Sequence, residues 1–178
     1  MWGFIWEPQH IVEAIQQSTD LSVPAKTAFE LVCEIEKWPV WLSFLRSVRR
    51  VDPSRRIGQG IDVAVRSAIP GDEEELFEVE RFVDGYILSL VGAYSVRRRI
   101  EMRVEGKTNR SKLVVRVEYP IYGGAVAKLV DRLGTRRRLD AELSDALAHF
   151  KGLVEYEGDP SENAVVITEP LAVVDANC

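Results

Sequence analysis

The apolar positions of this chain change period twice, from mixed to helical to alternating, before a long helical stretch closes the pattern. Residues Ile11 to Val23 read as a first, irregular strand, and Pro24 ends it because proline cannot donate to a strand ladder. Pro24 also suits the first turn of a helix. Ala28, Leu31, Val32 and Ile35 then fall at helical spacing, with Glu30, Glu34 and Lys37 among the other positions. Pro39 stops that helix and opens a second short one through about Ser47, with Val40, Trp41, Phe44, Leu45 and Val48 on one stripe. Asp52 to Gly60 is loop chemistry. Alternation follows: Ile61, Val63, Val65, Ser67 and Ile69 share one face of a strand, with Asp62, Ala64 and Arg66 on the other. Pro70-Gly71-Asp72 is a turn, and the acids Asp72 to Glu75 read as a hairpin tip.

A strand from about Glu75 to Val83 has Phe77, Val79, Arg81 and Val83 in phase, and Asp84-Gly85 is a strong hairpin signal. Tyr86 to Tyr94 is apolar on both faces. Ser95 to Glu105 places Val96, Ile100, Met102 and Val104 opposite a charged face, and Leu113, Val115, Val117 and Tyr119 share a face of the last strand. A helix from about Gly124 to Glu157 closes the pattern. Leu139, Leu143, Ala146, Leu147, Phe150, Leu153 and Val154 form its main stripe, and Val126, Leu129, Val130 and Leu133 an earlier one, with Gly134 and Thr135 between. The order predicts an α+β helix-grip fold: a curved antiparallel sheet wrapped around a long C-terminal helix, with two short helices after strand 1. The domain spans 11–157, with an N-terminal extension over 1–10 and a tail over 158–178. Such a sheet tends to leave a cavity, which makes a small apolar ligand the leading expectation.

Composition narrows the classes further. The 178 residues fit one domain, with 46% apolar and 29% charged content ordinary for a globular protein. No run of 18 or more apolar residues suggests a transmembrane segment. The start, Met1 to Pro8, does not read as a signal peptide, and two cysteines, Cys33 and Cys178, are too few for a disulfide framework. A cytoplasmic location is expected. The net charge of -5 offers no obvious source of nonspecific affinity for nucleic acid, so none is expected as a partner. The basic stretches Arg46 to Arg56 and Arg132 to Arg138 read as solvated faces. A homodimer is a possible assembly.

No metal and no cofactor are expected. The two histidines, His10 and His149, belong to no metal-ligand spacing, and His149 sits with Glu142 and Asp145 on the polar flank of the last helix. No phosphate loop or nucleophile elbow is present. The informative residues are polar ones on faces predicted to point inward. Arg81 is in phase with Phe77 and Val79, and Arg98 with Ile100 and Met102. An arginine in an apolar interior costs several kcal/mol without a partner. Arg81 must therefore meet a carboxylate, line a wet cavity, or be turned outward by a β-bulge. In a cavity its guanidinium would suit a carbonyl, enolate or carboxylate. Ser67, Tyr86, Tyr94 and Tyr119 could add hydroxyls. Trp38 reads as a lid packed on the sheet, and Trp41 and Phe44 as lid or pocket mouth.

The stretch Val23-Pro24-Ala25, then Phe29-Glu30-Leu31-Val32 and Ile35-Glu36-Lys37-Trp38-Pro39-Val40-Trp41, resembles the opening of the polyketide cyclase/dehydrase branch of the START-like (SRPBCC) superfamily, which also holds coenzyme Q-binding and lipid-transfer proteins. Gly123-Gly124 through Leu153 resembles its closing helix. The resemblance implies seven antiparallel strands around the last helix, with a deep apolar pocket between them. It implies a pocket arginine matched by Arg81 and a tryptophan matched by Trp38. Aromatase/cyclases place a serine two residues before that arginine, where this chain has Val79. Three functions stay open: a binder of a hydrophobic small molecule (lipid, quinone or aromatic polyketide-like compound), a cyclase/dehydratase-type enzyme with Arg81 as candidate catalytic group, and a protein-interaction module with a closed cavity. The expected ligand-contacting set is Trp38, Trp41, Phe44, Ser67, Phe77, Val79, Arg81, Tyr86, Arg98 and Tyr119.

Overall fold

A computed structural model describes residues 11–68, 73–93, 98–121 and 134–157. The expected N-terminal extension, Ile69 with the turn after it, Tyr94 and Val96, the helix over 124–133 and the tail over 158–178 lie outside the described residues. The elements run β1 (Ile11–Leu21), α1 (Ala25–Cys33), a 3₁₀ turn (Ile35–Lys37), α2 (Trp38–Trp41), β2 (Leu45–Arg50), β3 (Asp62–Ser67), β4 (Glu75–Val83), β5 (Ile87–Gly92), β6 (Arg99–Lys107), β7 (Arg110–Ile121) and α3 (Thr135–Glu157). The seven strands form one curled antiparallel sheet in the order β1-β7-β6-β5-β4-β3-β2. The strands that bracket the domain in sequence, β1 and β7, are thus neighbours, and β2 is the far edge.

Periodicity builds most of this directly. Pro24 stands immediately before α1, where its missing N–H is no loss, and Ala28, Phe29, Leu31 and Val32 are buried on the helix's inner side. The stripe of α3 is buried at Leu143, Ala146, Leu147, Phe150 and Val154, while His149 is exposed on the opposite side. The second helix departs from expectation. It ends at Trp41, and Leu45 to Arg50 is the edge strand β2 rather than helix. Leu45 and Val48 are buried in both geometries. A bulge between Leu45 and Ser47 lets residues three apart share a strand face, so the spacing imitates a helical one.

One apolar row crosses five strands on the face toward α3: Ile15 pairs with Val117, Val117 with Ile100, Ile100 with Leu90, and Leu90 with Val79. At 25 cal/mol per Å² (about), burying such rows under α3 is the main stabilising term of the fold. Polar ties fix the helix on β1. Gln17 Nε2 donates to Asp140 Oδ1 at 2.8 Å, and the Ser22 amide donates to Glu155 Oε1 at 2.8 Å. The opposite face carries ion pairs, among them Arg99 with Glu80 at 2.7 Å and Arg116 with Glu118 at 2.9 Å.

The β6–β7 hairpin depends on Gly106, whose φ of +151° puts a substituent where L residues rarely place one. A Cβ there would press into the Arg110 carbonyl and the Ser111 Cα. Ser111 cannot retreat freely, since its buried hydroxyl donates to the Val23 carbonyl at 2.9 Å. Gly106→Ala should therefore destabilise the fold by about 3 kcal/mol, combining strain and overpacking. Urea unfolding followed by circular dichroism checks it. A loss below ~1 kcal/mol would show that the hairpin relaxes.

Candidate functional site

The inner face of the sheet and the buried stripe of α3 enclose the centre of the molecule, and α2 inserts two tryptophans there. The 3₁₀ turn and Pro39, which sits in the first turn of α2, reverse the chain tightly enough that both Trp38 and Trp41 are fully buried. Trp38 Nε1 donates to the Val32 carbonyl at 2.9 Å, tying α2 to α1. The Trp41 ring meets Trp38 edge-on at 6.3 Å and Phe150 of α3 at 4.9 Å, both favourable aromatic geometries. Trp41 Nε1 is buried and has no hydrogen-bond partner among the described residues. A buried indole N–H normally finds an acceptor, so this donor marks the chemically unfinished point of the interior.

The expected ligand-contacting residues separate into groups. Phe77 and Val79 are buried on the inner face, with Trp38 and Trp41. Phe44 and Tyr119 are partly buried against the same core, and Ser67 is half-buried at the end of β3. Arg81, Tyr86 and Arg98 are exposed, and the structure does not bring them into the interior. For Arg81 the cause is a bulge. Val79 pairs with Leu90 and Arg81 with Ser89, so an extra residue of β4 intervenes and the alternation reverses. Arg98 precedes β6 and pairs with Glu75 at 2.8 Å. Tyr86 closes the Asp84-Gly85 turn, its amide donating to the Val83 carbonyl at 3.0 Å.

Phe82 takes the inward position expected of Arg81 and meets Phe29 of α1 at 5.9 Å. The signal was present in Val79-Glu80-Arg81-Phe82, where two charged residues between two apolar ones break the strand period. Phe29, Phe82, Met102 and Phe150 are interior residues not singled out from the pattern for the site. Ser89, 1% exposed, lies on the other face in register between Arg81 and Glu101, and its hydroxyl has no partner among the described residues.

Burial, followed by the negative charges of Asp84 and Glu30, pushes the Cys33 thiol up to about 12. It stays protonated and unreactive at neutral pH. No group of three or more His, Cys, Asp or Glu among the described residues could hold a metal ion. No described helix is long and apolar enough to cross a membrane. In a Cys178→Ser background, Cys33 should react with iodoacetamide at pH 8.5 roughly a thousandfold more slowly than a free thiol, in proportion to its thiolate fraction. Mass spectrometry of the alkylated chain over time checks this. Alkylation at the free-thiol rate would show that Cys33 is neither buried nor in a negative field.

The family described as polyketide cyclase/dehydrase and lipid transport matches residues 13–155. Among solved structures, the Zhui aromatase/cyclase of Streptomyces sp. R1128 superposes with a TM-score of 0.61 at 15% identity, covering 85% of this chain and 98% of that one. Norcoclaurine synthase of Thalictrum flavum gives 0.60 at 13% identity, covering 86% and 92%. A Staphylococcus aureus protein of unknown function gives 0.65 at 6% identity, covering 84% and 97%. At these identities the structures share the fold alone. No curated protein matches the chain.

Proposed function

Since this chain belongs to the polyketide cyclase/dehydrase and lipid transport family, a family of ligand-binding helix-grip folds, we propose that it binds a hydrophobic small molecule between the sheet and α3. The observation that carries this reading is the unpartnered Trp41 N–H, set among apolar side chains. A carbonyl or hydroxyl oxygen of a quinone, lipid or aromatic polyketide-like compound would accept from it and fix the ligand's orientation. The driving force is apolar burial. A ligand losing about 300 Å² of apolar surface to water gains about 7 kcal/mol before the cost of association is subtracted.

The cyclase/dehydratase reading rests on the family alone. The arginine that the resemblance places in the pocket is exposed in this chain, and the position two residues before it is Val79, fully buried and without a proton to give. Among the described residues, what the interior offers is shape, apolar surface and the unpartnered Trp41 N–H. These suit holding a molecule better than protonating one.

Native mass spectrometry of the freshly purified full chain should reveal a co-purified apolar mass, and calorimetry should show binding of menadione, a small quinone with two carbonyl acceptors. Trp41→Phe keeps an aromatic ring against Phe150 and removes the N–H. It should raise the menadione Kd roughly tenfold, the worth of one hydrogen bond of about 1.4 kcal/mol. Absence of both a co-purified apolar mass and menadione binding would overturn the reading in favour of an interior closed for packing alone.

A further inference from the structure

We propose that a second cleft, of about 760 Å³ between α1, the β2–β3 loop and the β4–β5 turn, binds a small organic cation with an apolar body. The volume lies in the usual range for small-molecule sites. The inference does not rest on ligand binding in the interior. Phe29 and Phe82, packed at 5.9 Å, stand between the cleft and the core, and together with Ile57 they give the cleft an apolar floor.

The charges around that floor decide the sign of the ligand. Glu30, Glu34, Glu36 and Asp84 line the cleft, with Lys37, Arg50 and Arg56. Two of the bases are already engaged. Arg50 Nε donates to Glu36 Oε1 at 2.7 Å and its Nη1 to the Arg55 carbonyl at 2.9 Å, while Lys37 pairs with Glu34 at 2.5 Å. What these pairs leave is two carboxylates, Glu30 and Asp84, against one guanidinium, Arg56. Glu30 has Lys26 at 4.0 Å, but both side chains are largely exposed and such a pair holds little.

Cys33, its thiol raised first by burial, is also subject to this field. It lines the cleft and feels the negative charge of both Asp84 and Glu30, carried by different elements. An ammonium group placed there donates charge-assisted hydrogen bonds to these carboxylates, and its apolar body covers the phenylalanine floor. An anionic ligand of the same shape meets one arginine and two carboxylates.

Three probes of one shape and different charge test this on the isotopically labelled full chain: 4-phenylbutylamine, 4-phenylbutanol and 4-phenylbutyrate, followed by amide chemical shifts. The amine should bind tightest, by roughly tenfold over the alcohol, with shifts in 29–37 and 82–85, and added salt should weaken it while sparing the alcohol. The double variant E30Q/D84N keeps a turn-compatible Asn-Gly pair and should abolish the amine's advantage. Butyrate binding as tightly as the amine would overturn the proposal, as would an amine preference that survives E30Q/D84N. Shifts centred on Trp41 and α3 instead of the cleft would also overturn it, and would leave the interior reading standing.

Discussion

Phe150 carries the middle of α3 onto Trp41, and the rest of the architecture is arranged around that contact. The edge-on rings at 4.9 Å join the last helix to the shortest one, and the short helix is joined to α1 through the Trp38 hydrogen bond to Val32. Two neighbouring helices from the start of the domain are thereby joined to the long helix that closes it. The sheet has to curl for Ile15, Val79, Leu90 and Val115 all to stay buried against a single helix and two short turns. A flat sheet would leave its outer strands without an apolar partner.

The outer face follows from the same curl. Strand β5 is buried on both faces, with Leu88 and Leu90 toward α3, and Ile87 and Ser89 turned away from it yet each only 1% exposed. Ile87 pairs with Arg103, and Ser89 with Glu101. Around them Arg99 reaches Glu80 and Glu118, and Arg103 reaches Glu101 and Glu105. These pairs are partly exposed and individually worth little. Their long stems nonetheless cover apolar surface that would otherwise face water.

Much of this was legible in the residues. The α3 stripe, the proline start of α1, the Asp84-Gly85 turn and the alternation of β3, β6 and β7 all follow from local chemistry, and a sheet gripping a helix follows from their order. Two bulges were not legible as such. One makes Leu45 and Val48 imitate helical spacing, and the other exchanges Arg81 for Phe82 on the inner face. A bulge is chosen by which register buries more apolar surface across the whole sheet, so the strand carrying it does not disclose it alone. The candidate site shared this limit. Trp38 and Trp41 read from their motif as a lid or pocket mouth, whereas only the packed molecule shows both fully buried, one indole with its acceptor and the other lacking one.

The pairing of β1 with β7 along eleven residues of β1 has a consequence for how the chain comes to be folded. Five strands and both short helices separate β1 from its hydrogen-bonding partner β7 in the chain. Until β7 emerges, β1 is an unpaired edge, and until α3 follows, the inner face of the β2-to-β6 meander is covered by α1 and α2 alone among the described helices. The topology is rich in non-local contacts, which slows folding. It also leaves β1 open to misassociation until β7 has been made.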